Sequence, residues 1–308
     1  MPLWSGIFPA VTTQFADDES LDIPATMAHV GHLRRSGIHG VIMLGTVGEN
    51  CSLEAEEKID LLAATANSLG GALPLLAGVA ETTTRGACRF AERAKAAGAS
   101  GLMVLPAMVY RSSPPEVVHH IRAVADASGL PIMVYNNPVS YGTDLRPECF
   151  AAFVDDARIV AIKESSDDPR RITDLRSRYG DRFALFCGVD NLVLESYLAG
   201  IDGWVSGLVD AFPAENALLW DLLQAGAWDE ARTLYRWYAP LLHLDTLPTL
   251  VQCIKLAMAE VGLGRERCRA PRLPLAGEER TKVLEVIRTA LRTRPDLGAL
   301  RRAARLAP

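Results

Sequence analysis

The sequence predicts a (β/α)8 TIM barrel with a C-terminal three-helix extension, and three observations carry that prediction. Short apolar runs alternate with longer stretches of helical period eight times over about the first 225 residues, the rhythm of eight strand–helix units. Several runs are β-branched without the polar alternation of a half-exposed strand, as in a parallel sheet covered on both faces. After about Gly226 the short runs stop and only helical period remains. A doubly wound sheet is the competing architecture, but its usual glycine fingerprint after the first strand is missing.

In chain order, residues 6–11 read as the first strand and 22–36 as a helix, with Pro24 suitably near its start. The second strand is 40–44, its exit loop Gly45-Thr46-Val47-Gly48-Glu49-Asn50, and a helix follows over 53–69. The third strand is 73–79; Thr82 or Thr83 caps a helix that ends at Gly98. Strands four to eight fall at 101–105, 131–135, 159–163, 183–187 and 203–206, each followed by helical pattern. Residues 227–239, 250–261 and 277–291 read as three helices, with Pro271 and Pro274 in a connector. The stretch 292–308, with Arg301, Arg302 and Arg305, reads as a solvated or loosely docked helical tail. The chain thus divides into a catalytic barrel, 1–226, and a helical domain, 227–308.

With 308 residues, 49% of them hydrophobic, the chain has ample material for one barrel-sized core. A formal net charge of −5 argues against nucleic acid as the partner. The N-terminus lacks a signal-peptide pattern, and no apolar run approaches the roughly 20 residues needed to cross a bilayer. The six cysteines form no CxxC pair and no His/Cys ligand spacing. A cytoplasmic protein with reduced thiols and no metal is expected.

The chemistry points to Lys163. Ile159-Val160-Ala161-Ile162 is a buried strand that ends in this lysine, where α/β folds place their reactive groups. An amine there is poorly solvated, its pKa falls, and it becomes a usable nucleophile. The other four lysines, Lys58, Lys95, Lys255 and Lys282, sit in helix-period patterns. Every strand-to-helix loop of a barrel opens on one face, so four further stretches converge on Lys163. Gly45-Thr46-Val47-Gly48-Glu49 offers successive N–H groups to a carboxylate. Tyr135-Asn136-Asn137-Pro138 brings a phenol able to shuttle a proton. Cys187-Gly188-Val189-Asp190 and Val205-Ser206-Gly207 close the ring. A nucleophile, a proton carrier and an anion nest together suit an enzyme of 2-oxo acids.

These motifs resemble the dihydrodipicolinate synthase / N-acetylneuraminate lyase superfamily of class I aldolases. The marks are Gly45-Thr46-x-Gly48-Glu49, Tyr135-Asn136-x-Pro138 and Ile162-Lys163-Glu164, in the family's order and spacing, and the resemblance covers essentially the whole chain. It implies that Lys163 forms a Schiff base with a 2-oxo acid, that Tyr135 relays protons, and that the Thr46 and Val47 amides hold the carboxylate. It also implies a homotetramer and no cofactor beyond the covalent lysine. The catalytic set is therefore Lys163, Tyr135 and Thr46. The substrate-binding set is Gly45, Val47, Gly48, Glu49, Gly188, Ser140, Val205 and Ser206.

Departures from the family's synthases narrow the expected reaction. Val47 replaces the second threonine of a proton relay, Met108 stands where a neighbouring subunit's tyrosine is expected, and Tyr110 is a poor substitute. Ser140 occupies the place of an arginine that binds the second substrate's carboxylate. The run from Gly45 to Leu53 most resembles the hydroxyproline branch, which opens 1-pyrroline-4-hydroxy-2-carboxylate to 2,5-dioxopentanoate and ammonia. The expectation is therefore this deaminase. The alternatives are an aldolase or dehydratase of sugar-derived 2-oxo acids, or dihydrodipicolinate synthase, with a non-catalytic ligand-binding barrel last.

Overall fold

The computed structural model describes residues 2–107 and 110–307. Eight parallel strands form the barrel: β1 (Gly6–Pro9), β2 (Val41–Met43), β3 (Leu75–Val79), β4 (Gly101–Val104), β5 (Ile132–Asn136), β6 (Ile159–Glu164), β7 (Ala184–Cys187) and β8 (Gly203–Ser206). Each strand pairs with its neighbours in chain order, and β1 pairs with β8. A parallel bridge from Ala10 to Ile42 joins the ends of β1 and β2 and closes the ring. All eight strands are where the sequence puts them, within one or two residues at each end.

Helices α1 (Ile23–Arg35), α2 (Ala55–Leu69), α3 (Thr84–Ala96) and α4 (Pro114–Ser128) return the chain after β1 to β4. Their starts are written locally. The Asp22 carboxylate accepts from Ala25 N–H at 2.9 Å and Thr83 Oγ1 from Gly86 N–H at 3.1 Å. Ser113 and Glu116 make a reciprocal capping box before Pro114. Beyond β5 comes only the one-turn helix α5 (Pro138–Tyr141), followed by a 3-10 stretch over Pro147–Phe153 in place of a full helix. Helices α6 (Arg170–Tyr179), α7 (Val193–Leu198) and α8 (Pro213–Gln224) complete the barrel.

Glycines admit the largest rings of the barrel interior. A Cβ on Gly40 would lie 2.2 Å from the Phe8 ring, and one on Gly203 would lie 2.2 Å from the Phe186 ring. Those rings meet edge to face at 5.3 Å, a favourable aromatic geometry.

Helices α9 (Trp228–Leu242), α10 (Leu250–Val261) and α11 (Gly277–Arg292) follow the expected extension. The tail forms a further short helix, α12 (Leu297–Ala303), which is docked rather than free. Arg301 pairs with Asp221 of α8 at 2.9 Å, and Arg294 pairs with the buried Glu215 of the same helix. No described helix is long and apolar enough to cross a membrane.

Candidate active site

The exit loop of β2 is shaped by backbone that only a few residue patterns allow. Leu44 (φ 63°) and Glu49 (φ 55°) both adopt left-handed conformations. The Asn50 side-chain amide holds the turn by donating to Leu44 O (2.9 Å) and Gly78 O (3.2 Å). Gly78 must be glycine, since a Cβ there would lie 2.2 Å from Leu44 O. So held, the loop leaves the N–H groups of Gly45, Thr46 and Val47 without an acceptor among the described residues. All three residues line a cavity of about 450 Å³ at the carboxyl ends of the strands.

Lys163 and Tyr135 face each other in register on β6 and β5 and both reach this cavity. Lys163 is buried, and its Nζ lies 3.9 Å from the centroid of the Tyr135 ring. It has no hydrogen-bond or ion-pair partner among the described residues. Loss of solvation pushes the ammonium below the ordinary lysine value; Tyr141, Asp245 and Asp190 oppose the shift. Gly188 lets the lysine lie here, because a Cβ would come within 2.6 Å of Lys163 Cε. Burial raises the Tyr135 phenol, and Asn137 Nδ2 donates to its oxygen at 3.0 Å.

Tyr141 is a functional candidate that the sequence reading passed over. Asn137 caps α5 by accepting from Ser140 N–H at 2.9 Å, and Gly142 ends it at φ 74°. That single turn aims Tyr141 back into the cavity, where its hydroxyl bonds Thr46 Oγ1. Its ring meets Tyr135 edge to face, 5.8 Å between centroids. Burial, with Tyr135 close by, pushes the Tyr141 phenol well above its usual range.

At the place where Val47 and Met108 are expected to interrupt the relay, a tyrosine of the same chain stands beside Thr46. Met108 itself lies outside the described residues. Tyr110 is exposed and donates to Glu116 Oε1 at 3.1 Å. The clue for Tyr141 was present in Tyr-Asn-Asn-Pro-Val-Ser-Tyr, but only the turn geometry brings its phenol to Thr46.

Of the expected substrate-binding residues, Gly45, Val47, Ser140, Gly188 and Val205 line the cavity, and three do not. Glu49 turns away because its left-handed backbone aims the carboxylate at α10. There Lys255 Nζ donates to Oε1 at 2.7 Å and Arg269 N–H to Oε2 at 3.0 Å, and both charged side chains are wholly buried. Lys255 also donates to Thr13 O at 2.7 Å, so this second buried lysine is a paired strut. Gly48 sits behind the loop, accepting from Thr13 Oγ1 at 2.7 Å, with Val11 O 2.9 Å from any Cβ it might carry. Ser206 donates to Asp190 Oδ2 at 3.0 Å, and that carboxylate also accepts from Trp204 Nε1 and Leu208 N–H. These residues brace the walls.

The C-terminal helices complete the cavity. Asp245, Thr246, Leu247, Pro248 and Leu250, between α9 and α10, form part of its lining. No sequence signal marked them, because strand-loop logic stops at β8. Among the described residues, the charged members of the lining are Lys163, Asp167 and Asp245, with no arginine. Arg111 is exposed and lies beside Gly142, outside that lining.

Comparison with known proteins agrees with this geometry. Residues 3–290 match the dihydrodipicolinate synthetase family. A 4-hydroxy-tetrahydrodipicolinate synthase of Xanthomonas campestris is 32% identical over 278 residues, covering 88% of this chain and 90% of the relative. The solved 4-hydroxy-tetrahydrodipicolinate synthase of Methylacidiphilum fumariolicum is 26% identical, with a TM-score of 0.89 and 98% of each chain covered. The Escherichia coli prophage protein YagE, solved in complex with pyruvate, is 25% identical with a TM-score of 0.88, covering 94% of this chain and 99% of its own.

Proposed function

We propose a function from the premise that this chain belongs to the dihydrodipicolinate synthetase family: it is a lyase of the class I aldolase type that holds a 2-oxo acid as a Schiff base on Lys163. The observation that carries the reading is a buried lysine in the cavity lining, against a tyrosine ring and with no partner among the described residues. The substrate carboxylate rests on the free N–H groups of Gly45, Thr46 and Val47. Neutral Lys163 adds to C2, the Tyr135 phenol gives its proton to the departing hydroxyl, which leaves as water, and a protonated imine remains. That imine draws electrons from C3, whose proton passes to the Tyr135 phenolate left by that donation, and the neutral enamine forms. Tyr141 and Thr46 extend the hydroxyl chain from Tyr135 within one chain. The homotetramer expected from the resemblance belongs to this same proposal.

Two fates of the enamine compete. The relatives' names back condensation with an aldehyde, the synthase reading, better than the deaminase expected from the sequence. The deaminase stays as the second reading on one observation: the lining holds Ser140 and two carboxylates, with no arginine to receive a second substrate carboxylate. The first test is borohydride reduction in the presence of pyruvate, followed by peptide mass mapping. A reduced adduct on Lys163 supports the proposal; none, or one on Lys255, refutes it. Parallel assays of pyruvate with aspartate semialdehyde, and of ammonia release from 1-pyrroline-4-hydroxy-2-carboxylate, then decide between the two fates.

A further inference from the structure

Most polar groups of the cavity already have work under the Schiff-base reading, on which the present inference rests. The N–H groups at Gly45 to Val47 take the carboxylate, Lys163 takes C2, and Tyr135, Tyr141 and Thr46 form the hydroxyl cluster. Asp167 is exposed at the rim. Asp245 remains. We propose that Asp245 binds a hydroxyl on the part of the substrate beyond C3, so that the site prefers hydroxylated 2-oxo acids to their deoxy analogues.

The fold places this carboxyl with care. Asp245 belongs to the 3-10 turn His243–Thr246, which is pinned by the buried Leu244 and by Thr246 Oγ1 donating to His243 O at 2.9 Å. It stands over the end of β8, three strands round the barrel from Tyr135, so the phenols and the carboxyl flank Lys163 from different walls. Gly207 makes the room: a Cβ there would lie 2.6 Å from Asp245 Oδ1 and 2.7 Å from Ile254 Cδ1.

Neither oxygen of Asp245 has a hydrogen-bond or ion-pair partner among the described residues. The fully buried carboxylates Glu49, Asp190 and Asp210 at the barrel end are bonded, Glu49 to Lys255, Asp190 to Trp204 and Ser206, and Asp210 to His29 at 2.6 Å. Burial, reinforced by Asp190 and opposed by Lys163, raises its proton affinity well above the usual carboxyl range. A hydroxyl suits such a group in either protonation state, because it both donates and accepts. A methylene in the same place leaves the carboxyl desolvated and unpaired, which is how a site rejects an analogue lacking its hydroxyl.

The experiment traps imines on the full-length protein with borohydride, using 4-hydroxy-2-oxopentanoate, 2-oxopentanoate and pyruvate as probes. Peptide mass separates the intact five-carbon adduct from any pyruvate released by cleavage. The wild type should half-saturate with the hydroxy acid at a concentration lower than with the deoxy acid by roughly tenfold or more, the usual worth of a hydrogen bond to a charged group. Asp245→Ala should reduce that preference to less than about twofold by weakening the hydroxy acid alone. Asp245→Asn, which keeps shape and hydrogen-bonding capacity, should fall between them and guards against loss of fold. Equal half-saturation in the wild type, or a preference that survives Asp245→Ala, overturns the proposal. Absence of any adduct, that of pyruvate included, overturns the Schiff-base reading and this one with it.

Discussion

Replacing Lys255 by methionine tests whether the glutamate of the β2 loop is a strut and not a ligand group. The substitution keeps roughly the volume and an unbranched apolar stem, and it removes the ammonium that lies 4.7 Å from the Phe15 ring centre. It removes two bonds, to Glu49 Oε1 and Thr13 O, each at 2.7 Å. Glu49 would keep Arg269 N–H at 3.0 Å and a distant Arg272 at 3.9 Å, while its side chain is fully buried. Removing one member of such a pair costs about 3–5 kcal/mol, mostly because the other charge stays buried. At about 2.1 cal/mol/K of unfolding entropy per residue, 308 residues turn that cost into a fall in Tm of about 5–8 °C. Adding Glu49→Gln removes the orphaned charge, so Lys255→Met with Glu49→Gln should recover more than half of the loss. The assay is thermal unfolding of the wild type, both single variants and the double variant. A Lys255→Met melt within about 1 °C of wild type, or a double variant less stable than Lys255→Met, would refute the strut argument.

Three further outcomes bear on the chemistry. Tyr135→Phe should keep the fold and lower kcat by roughly 10²–10⁴, the usual share of a positioned acid–base group; turnover near wild type removes the phenol from the mechanism. Tyr141→Phe deletes the partner of Thr46 and should slow turnover at least tenfold, while imine trapping by pyruvate at saturation is unchanged, so a proportionate loss of trapping would assign Tyr141 to binding. Because burial depresses the Lys163 pKa, its neutral, reactive fraction grows at lower pH than for a free lysine. The pyruvate trapping rate should therefore rise with pH and level off before the ordinary lysine value of 10.5; a midpoint at or above 10.5 contradicts the burial argument.

The sequence by itself determined the barrel and the pair of residues that meet in its mouth. Eight buried strands announce themselves because a sheet covered on both faces needs continuous apolar runs, and that requirement is local. Lys163 and Tyr135 were legible for the same reason, since a polar residue ending such a run must face the barrel mouth. Thr46 and Val47 followed from a loop whose glycines expose its N–H groups.

What only the tertiary structure decided depended on direction and on distant chain. Glu49 belongs to the same motif as Thr46, but its left-handed backbone sends the carboxylate to Lys255, 206 residues away. Ser140 and Tyr141 are adjacent, and it is the one-turn helix begun at Pro138 and capped by Asn137 that brings a phenol to Thr46. Asp245 carries no motif. It reaches the cavity because α9 and α10 pack over β8, where Gly207 leaves space for a carboxyl. Periodicity encodes which face of an element is buried; it does not encode what another element, a hundred residues on, lays across it.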